Sequence, residues 1–424
     1  MDFNTFLTRL GIDPESFKNI QTDPIKTDNG FIFYAEQRSD ERVCPSCRSQ
    51  HTEIKGYHHV HINCSDNENI KDVLRVKKVR FICLDCHKTF TPPLKGISRH
   101  AHISDLTKQL IYNDFTRKMT FQGIASKYQV SNGYVVALFD AKVRLVPRSP
   151  LPRVLCIDEF HFSSELDQKY CCCLVDYQDR SVLDIIKSRQ MPYLREYFAN
   201  ISQSERSQVK VFISDMYDGY STIQHSYFPH AIHVVDLFHV ITQLTNAVNR
   251  LRTRTMNVLA IKGSKEYNFM KSNWKYILCR RAKIPSKTYT YQKTGEVLYY
   301  GDLLFACLTL NDQLLTAYNV LQDLFKYSRS FTFTEAENFV VWIANRLLNL
   351  RCEDLESVGR TYRKWRVEIA NAFVKNQTGE NLTNAMAENM NNHIKTIIKS
   401  AYGYQNFERF RKRCLLMLRY NKCP

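Results

Sequence analysis

The hydrophobic and polar positions of the chain change their period several times, and each change predicts a different kind of structure. Residues 1–100 hold short alternating segments, which are typical of strands. Residues 101–146 carry a helical period with a sharp turn in the middle. From 151 to 236, apolar runs of strand length alternate with helical segments, and from 237 to about 420 almost every pattern is helical.

The segment from 151 to 236 contains apolar, β-branched runs that predict five strands. In chain order they read VLCIDEFHF, KYCCCLVDY, SVLDIIKS, VKVFISDM and AIHVVD. The helical stretch PYLREYFANI follows the third run, and YDGYSTIQHSYF follows the fourth. We therefore expect a sheet with helices inserted between its later strands.

Composition limits the classes of protein that fit these patterns. The chain has 424 residues, of which 44% are hydrophobic and 24% charged, so we expect a globular protein of several domains rather than a disordered chain. Its net charge of +17 favours a polyanionic partner, first of all nucleic acid, although a basic enzyme without such a partner would also fit. No apolar stretch is long enough to span a bilayer, and MDFNTFLTRLGID lacks the basic region and apolar core of a secretory signal. With no export signal expected, 14 cysteines indicate a reducing compartment.

Two Cys-x-x-Cys pairs predict a structural zinc site in residues 1–100. Cys44 and Cys47 form one pair, and Cys83 and Cys86 form the other, so together they can complete a closed tetrahedral Cys₄ site. Two unrelated reduced pairs are the alternative. A basic run beside the second pair is typical of a module that contacts DNA, and its candidate residues are Arg75, Lys77, Lys78 and Arg80.

The segment 119–141 predicts a helix-turn-helix within a domain of residues 101–148. Ser131 is a plausible N-cap, and the second helix is expected over 133–140 with Val135, Val136 and Leu138 available to pack inward. Two helices joined by a short turn form the geometry that reads a DNA groove, although an ordinary helical hairpin has the same pattern. The side chains predicted to face the groove are Ser131, Asn132 and Tyr134.

Three acidic residues are candidates for a divalent-metal site. Asp158 and Asp215 each come at the end of a predicted strand, and Glu388 begins a later helix. Carboxylate oxygens suit Mg²⁺ or Mn²⁺, and two such ions can activate a water or a 3′-hydroxyl for phosphodiester displacement. An acid at a strand end is also a common cap or turn residue, so spacing alone does not decide which acids bind metal. The rival acids are Glu159, Asp176, Asp179, Asp218, Asp236, Glu335 and Glu337.

Further polar residues lie close to these acids in the sequence. Asp236 and His239 follow the last strand, where they could be a helix cap with a buried histidine or could organise the active site. Basic residues that could track phosphates are spread over the last two helical stretches, although a solvated face is the alternative: Lys395, Lys399, Arg409, Arg411, Lys412 and Arg413.

The order of these motifs resembles the ISL-three family of bacterial insertion-sequence transposases. The resemblance runs from about residue 40 to 415 and joins the cysteine pairs and the helix-turn-helix to IDEF, SDMYDGY and VVDLFHV. It ends with Glu-x-x-Asn-x-x-Ile-Lys and Gly-Tyr-x-Asn-Phe in NAMAENMNNHIKTIIKSAYGYQNFERFRKR. One departure concerns details of DNA contact, because Asn389 and Lys399-Ser400 stand where members often have Gly and Lys-Arg.

The resemblance implies a multidomain α/β protein, a DDE transposase with a ribonuclease-H-like mixed-sheet core. Asp158, Asp215 and Glu388 match the catalytic triad, which would hold two Mg²⁺ or Mn²⁺ ions, and Asp236 and His239 match an acid-x-x-His motif. The core would occupy 149–254, a large all-α insertion 255–380, and the final catalytic helix with a basic C-terminal helix 381–424.

The implied activity is transposition in the bacterial cytoplasm, on nucleoid DNA. The zinc-ribbon-like module and the helix-turn-helix would bind the terminal inverted repeats, and the core would cleave and join strands of double-stranded DNA. A homodimer or larger synaptic complex is expected because two ends must be held together. A DNA-binding regulator without catalysis and a structure-selective nuclease are the alternatives.

Overall fold

The structure is a computed structural model in which the chain forms two compact units. Unit 1 comprises Met1–Pro147 and Thr396–Pro424, and unit 2 comprises Arg148–Lys395. No helix in the described part of the chain is both long and apolar enough to cross a membrane. The residues described are 3–21, 23–38, 42–65, 70–98, 101–162, 169–326, 332–375, 382–401, 404 and 406–420.

A sheet built around one long strand organises the first part of unit 1. The strand VLRVKKVRFIC pairs in parallel with GFIFYAEQ on one side and antiparallel with the 12-residue strand TEIKGYHHVHIN on the other. Alternate buried positions of the central strand, including Leu74 and Val76, pack against Phe6 and Leu7 of the first helix. The elements are α1 (Phe3–Arg9), β1 (Phe17–Lys18), β2 (Ile25–Thr27), β3 (Gly30–Gln37), β4 (Thr52–Asn63), β5 (Val73–Cys83) and β6 (Thr89–Phe90).

Three short helices follow this sheet in unit 1. They are α2 (Asp105–Asp114), α3 (Phe121–Lys127) and α4 (Asn132–Lys142). Each begins at a hydroxyl N-cap, and the tight turn between α3 and α4 contains Gln129 with φ +50°. The buried face of α4 consists of Val135 and Phe139, four residues apart, whereas Val136 and Leu138 are only half-buried. The Asn63 side chain of β4 donates to both carbonyls of the turn, at Tyr128 and Gln129, and so ties the sheet to these helices.

Unit 2 contains a five-stranded mixed sheet in the order β11-β10-β7-β8-β9. All five strands lie where the apolar runs predict them. Strands β7, β10 and β11 are parallel, and β8 and β9 continue the sheet as antiparallel strands. Their bounds are β7 (Val154–His161), β8 (Tyr170–Asp176), β9 (Ser181–Ile186), β10 (Val211–Ser214) and β11 (Ile232–Val235). The sheet buries an apolar face against the helices that connect β9, β10 and β11.

Helices make up most of the remainder of unit 2. They are α5 (Met191–Ala199), α6 (Gln203–Arg206), α7 (Asp218–Tyr227), α8 (Leu237–Val258), α9 (Lys265–Ser272), α10 (Lys275–Leu278), α11 (Tyr300–Thr309), α12 (Asp312–Lys326), α13 (Phe333–Leu348), α14 (Glu353–Lys364) and α15 (Arg366–Phe373). One small hairpin, β12 (Thr288–Tyr291) with β13 (Glu296–Tyr299), interrupts a stretch predicted as helical. Its short TYTY and EVLY segments were too brief to stand out from the helical pattern on either side.

The last two helices divide between the units. Helix α16 (Ala385–Ser400) begins in unit 2, and the boundary falls within it, after Lys395. Helix α17 (Phe407–Tyr420) belongs to unit 1. The segment predicted as one domain, 381–424, therefore contributes to both compact units.

Candidate active site and metal centres

The register of the parallel strands brings three aspartates to the same level of the sheet. Val211 of β10 pairs with Val154 of β7, and the last pair of this ladder is Ile213 with Cys156. Two residues further along both strands, the same register sets Asp215 beside Asp158. Ser214 pairs with Val235 of β11, so the next residues, Asp215 and Asp236, are also neighbours. Since adjacent strands lie about 4.8 Å apart and in-register side chains leave the same face, the three carboxylates form a row.

Asp158 differs from the prediction in one respect, because it does not end its strand. Strand β7 continues to His161, since its other edge pairs with β8 from Leu155↔Asp176 to His161↔Tyr170. Asp215, in contrast, follows the last residue of β10 directly. The carboxylate of Asp158 therefore lies on a strand that is held on both sides.

Burial makes the ionised form of these carboxylates costly. Burial, and then the charge of Asp215, raises the pKa of Asp158 to about 7. Burial, and then the charges of Asp236, Glu159 and Glu388, raises the pKa of Asp215 to about 7. The pKa of Asp236 is also raised by burial. The row is thus a group of two buried acids and one half-buried acid that repel one another and favour a cation between them.

Helix α8 brings a histidine to these acids. The Asp236 carboxylate accepts a hydrogen bond from the backbone N–H of Phe238 at 3.2 Å and so caps the helix. One turn later, His239 Nε2 lies 3.0 Å from Asp215 Oδ1 and 3.6 Å from Glu388 Oε1. Asp236 is therefore a cap, and His239 bridges two of the predicted acids.

Helix α16 supplies the last carboxylate and an amide. Burial, and then the charge of Asp236, raises the pKa of Glu388. Three residues on, Asn391 Nδ2 donates to Asp158 Oδ2 at 2.6 Å and to the carbonyl of Glu159 at 3.2 Å. In the sequence this asparagine stands out only as part of the Glu-x-x-Asn-x-x-Ile-Lys run, although its spacing of three residues from Glu388 places both on one helix face.

Several oxygen atoms in this cluster are buried without a hydrogen-bond donor among the described residues. They are Asp236 Oδ2, Asn384 Oδ1, Asn391 Oδ1 and Asp215 Oδ1, the last of which meets the His239 ring at 3.0 Å without a well-directed hydrogen bond. Buried oxygens without donors, on groups that repel one another, fit a hard divalent cation. The ligand atoms of Asp236, His239 and Glu388 lie within 4.8 Å of one another, and neither Asp158 nor Asp215 is part of this tightest group.

The four predicted cysteines converge at one end of the sheet of unit 1. Because β4 and β5 pair from Thr52↔Cys83, the segment that precedes β4 and the turn that follows β5 meet there. The four sulfur atoms lie within 4.8 Å of one another, with Cys44 and Cys86 3.6 Å apart. Backbone N–H groups, first that of Cys47, lower the pKa of the Cys44 thiol to about 7. Beside the other thiols the pKa of Cys47 is raised to about 12, so the convergence of the four sulfur atoms, rather than their charge, is what fits a tetrahedral zinc ion.

The basic residues predicted on β5 separate into two pairs. Arg75 donates to the Tyr34 hydroxyl at 2.7 Å, and Lys77 pairs with Glu36 at 2.9 Å. Lys78 and Arg80 line a groove of about 990 Å³ that also contains Tyr57 and His58. Lys78 and Arg80 therefore border an open groove, whereas Arg75 and Lys77 are half-buried and engaged by partners on β3.

The predicted residues of α4 and α16 remain at the surface. Ser131 caps α4 by accepting from the backbone N–H of Tyr134, Asn132 is exposed, and the Tyr134 ring is half-buried. Lys395 and Lys399 are both exposed on α16. All five side chains can still be reached by a ligand.

The basic residues of α17 mostly contact other parts of unit 1. Arg409 forms two hydrogen bonds with the Asp140 carboxylate, at 2.7 and 3.0 Å, and Arg411 donates to the carbonyl of Val146. Arg413 is buried, donates to the carbonyls of Arg117 and Met119, and lies over the Phe121 ring. The prediction of phosphate contact is therefore wrong for Arg413. Among the four predicted basic residues of α17, only Lys412 forms no hydrogen bond of this kind within the described structure.

Comparison with known proteins identifies the family. The DDE_Tnp_ISL3 family model, described as "Transposase", matches residues 155–414. The chain belongs to this transposase family. It is also 25% identical, over 80% of its own length and 79% of the relative's, to the transposase for insertion sequence element IS1001 of Bordetella parapertussis. Family membership implies a DNA-processing enzyme. The matched range contains the whole acidic cluster with its histidine, namely Asp158, Asp215, Asp236, His239 and Glu388.

Proposed function

We propose that this ISL3-family protein is the transposase of an insertion sequence, which cleaves and joins strands at the element's ends. The observation that supports this most strongly is the row Asp158, Asp215 and Asp236 beside His239 and Glu388. The sheet order β11-β10-β7-β8-β9 supports a ribonuclease-H-like core, with the helical part of unit 2 as an insertion before α16. In this proposal the first part of the core occupies 149–254, the helical insertion 255–380, and the final catalytic helix with the basic C-terminal helix 381–424.

In this proposal Asp158, Asp215 and Glu388 hold two Mg²⁺ or Mn²⁺ ions. When bound, these ions would activate the attacking oxygen and stabilise the leaving oxygen of a phosphodiester. Asn391 would fix the Asp158 carboxylate by its 2.6 Å hydrogen bond, and Asp236 would hold the start of α8 so that His239 points at Asp215 and Glu388. His239 would exchange a proton or contact the scissile phosphate.

The DNA-binding part of the proposal rests on unit 1. One zinc ion would hold the two cysteine knuckles, and α3 and α4 would act as a helix-turn-helix, with Ser131, Asn132 and Tyr134 in the groove. Lys78 and Arg80 are better placed for phosphates than Arg75 and Lys77. We propose that these modules bind the terminal inverted repeats, that two copies form the synaptic complex, and that the reaction occurs on bacterial cytoplasmic DNA.

A cleavage and joining assay tests this function. The purified protein is incubated with a labelled duplex that carries the inverted repeat flanking its own gene, in Mg²⁺ or Mn²⁺ and in EDTA. We expect metal-dependent nicking at the repeat end and joining of the 3′ end to a target plasmid, and loss of both in Asp158→Asn and Glu388→Gln. The exposed-residue variant Asp179→Asn is the matched control.

The outcomes separate the alternatives. Binding without any cleavage would favour a DNA-binding regulator. Nicking without joining would favour a structure-selective nuclease. Cleavage that survives both substitutions would contradict the proposed ligands.

A further inference from the structure

The helical part of unit 2 contains a basic stretch without acidic residues. Residues 267–295 include seven lysines and arginines and no aspartate or glutamate, so they carry +7 of the net charge of +17. Every one of these seven side chains belongs to an exposed residue. Six of them are Lys271, Lys275, Arg280, Arg281, Lys283 and Lys287, and Lys293 lies in the hairpin turn.

These charges are not neutralised within the described part of the chain. None of the seven forms a salt bridge there, whereas Arg250 and Arg254 on nearby α8 both pair with Asp354, at 2.6 and 2.8 Å. Glu296, the first acid after the stretch, is paired with Lys265 at 2.9 Å. The stretch therefore presents a concentrated positive surface.

A cluster of packed aromatic rings supports this basic stretch. The Phe269 ring of α9 stacks on Tyr276, and the Tyr300 ring meets the edge of Tyr276 at 5.3 Å between ring centroids. Tyr289 of β12 contacts both Phe269 and Tyr300. The backbone that carries the charges is thus held by packing rather than by ion pairs.

Part of the basic surface lines an open cavity. Arg280 and Arg281 line a cavity of about 460 Å³ together with Lys326 of α12 and one acid, Asp323. Gln322 fixes the loop, because its side chain accepts from the Arg281 N–H at 2.8 Å and donates to the Cys279 carbonyl at 2.9 Å. Two guanidinium groups from the basic stretch therefore line one recess.

We propose that this surface, residues 267–295 with the Arg280–Arg281 cavity, binds the phosphodiester backbone of duplex DNA. The proposal rests on the proposed function and adds a DNA contact that is separate from the modules of unit 1. Its chemistry is charge complementarity, which is independent of base sequence. Helix α8 leads from the active-site cluster toward this region, and its 22 residues span about 33 Å, or about ten base pairs of B-form DNA.

The test measures the salt dependence of binding to a fluorescein-labelled 40-base-pair duplex of arbitrary sequence. The double variant Arg280→Ala/Arg281→Ala is compared with Arg195→Ala/Lys210→Ala, a control of equal charge change at exposed positions outside the surface. Loss of two phosphate contacts should reduce the log–log salt slope by about 1.8 and weaken binding at 0.1 M salt by up to about 60-fold. The control should change neither quantity appreciably.

A second variant protects the test against misfolding. Lys283→Ala/Lys287→Ala removes two cations outside the cavity and should lower the slope by a similar amount. Equal slopes and affinities for both variants and the control would overturn the inference. Preferential loss of binding to an acidic peptide or to RNA, with duplex binding intact, would overturn it as well.

The same proteins are also assayed for metal-dependent cleavage of an insertion-sequence end. If the wild type cleaves and the surface variants bind like the control, only this inference fails. If the wild type neither binds nor cleaves DNA, the proposed function and this inference both fail.

Discussion

The replacement Asp215→Asn should stabilise the metal-free protein at pH 8 while it removes the metal site. Asp215 ordinarily would titrate near 3.8, and burial beside other acids raises its pKa to about 7. A raised carboxyl pKa means that its contribution to folding is most favourable below pH 3.8 and is lost as the pH rises through about 7. Asparagine does not ionise in this range, so Asp215→Asn removes this loss of folding stability at high pH.

The magnitude follows from the difference between the two pKa values. Keeping Asp215 ionised in the folded state costs about 4 kcal/mol at pH 8, because about three units separate 3.8 from 7. At pH 5 the folded state keeps the proton, and the cost is only about 1.6 kcal/mol. The penalty for burying an amide is common to both conditions, so the gain from Asp215→Asn should be about 2.5 kcal/mol larger at pH 8 than at pH 5.

Urea unfolding followed by tryptophan fluorescence measures this difference for unit 2. All three tryptophans of the chain, Trp274, Trp342 and Trp365, belong to unit 2, so the signal reports its unfolding and not that of unit 1. Metal-free buffers at pH 5 and pH 8 are compared with the same buffers containing Mn²⁺. Asp179→Asn, in the exposed turn between β8 and β9, is the control and should show no such pH dependence.

Two results would refute the reasoning. The first is a stability change that is the same at both pH values, because the buried carboxylate would then carry no ionisation cost. The second is an equal stabilisation of wild type and Asp215→Asn by Mn²⁺, because the wild type should gain about 2.7 kcal/mol at 100 times the dissociation constant and the variant much less.

Three further predictions test other parts of the site. Mn²⁺ binding should weaken below pH 7, by up to about tenfold per pH unit for each proton displaced, because the pKa values of Asp158 and Asp215 are both about 7. Calorimetry in two buffers of different ionisation enthalpy should detect the released protons, and their absence would contradict these pKa values. Asn391→Ala should lower Mn²⁺ affinity about tenfold by releasing the Asp158 carboxylate, with zinc content unchanged, and unaltered affinity would show that the hydrogen bond has no positioning role. Cys83→Ser should release zinc and unfold the knuckles of unit 1 while tryptophan fluorescence of unit 2 stays native, so retained stoichiometric zinc would contradict the Cys₄ site.

The sequence predicted the strands of unit 2 well because their apolar runs are continuous. A strand buried on both faces, such as β8 with CCCLV, leaves an uninterrupted apolar signature. The sequence separation between Asp158 and Asp215 equals the separation between paired residues of β7 and β10. This agreement can be recognised only when the two strands are known to be parallel neighbours. For the same reason, Asp236 could be named as a candidate from the sequence but could not be placed above the rival acids until β11 was known to pair with β10.

Features that depend on long-range packing could not be predicted. A basic helix face looks the same whether its guanidinium groups meet phosphates or backbone carbonyls, so the burial of Arg413 against Phe121 left no trace in the local pattern. The role of Asn391 was hidden because its partner, Asp158, lies 233 positions away. The sequence analysis did not single out the basic stretch 267–295, because its significance depends on its lysines and arginines forming no salt bridge within the described residues.

The central claim is that carboxylates on neighbouring strands and on α16 hold divalent ions together. Anomalous diffraction from crystals soaked in Mn²⁺ measures this directly. We predict density for Mn²⁺ at about 2.1 Å from carboxylate oxygens of Asp158, Asp215 and Glu388, with the Asn391 hydrogen bond to Asp158 preserved. Density bound only by Asp236 and His239, or no density at the row in an enzyme whose cleavage requires Mn²⁺, would contradict the account.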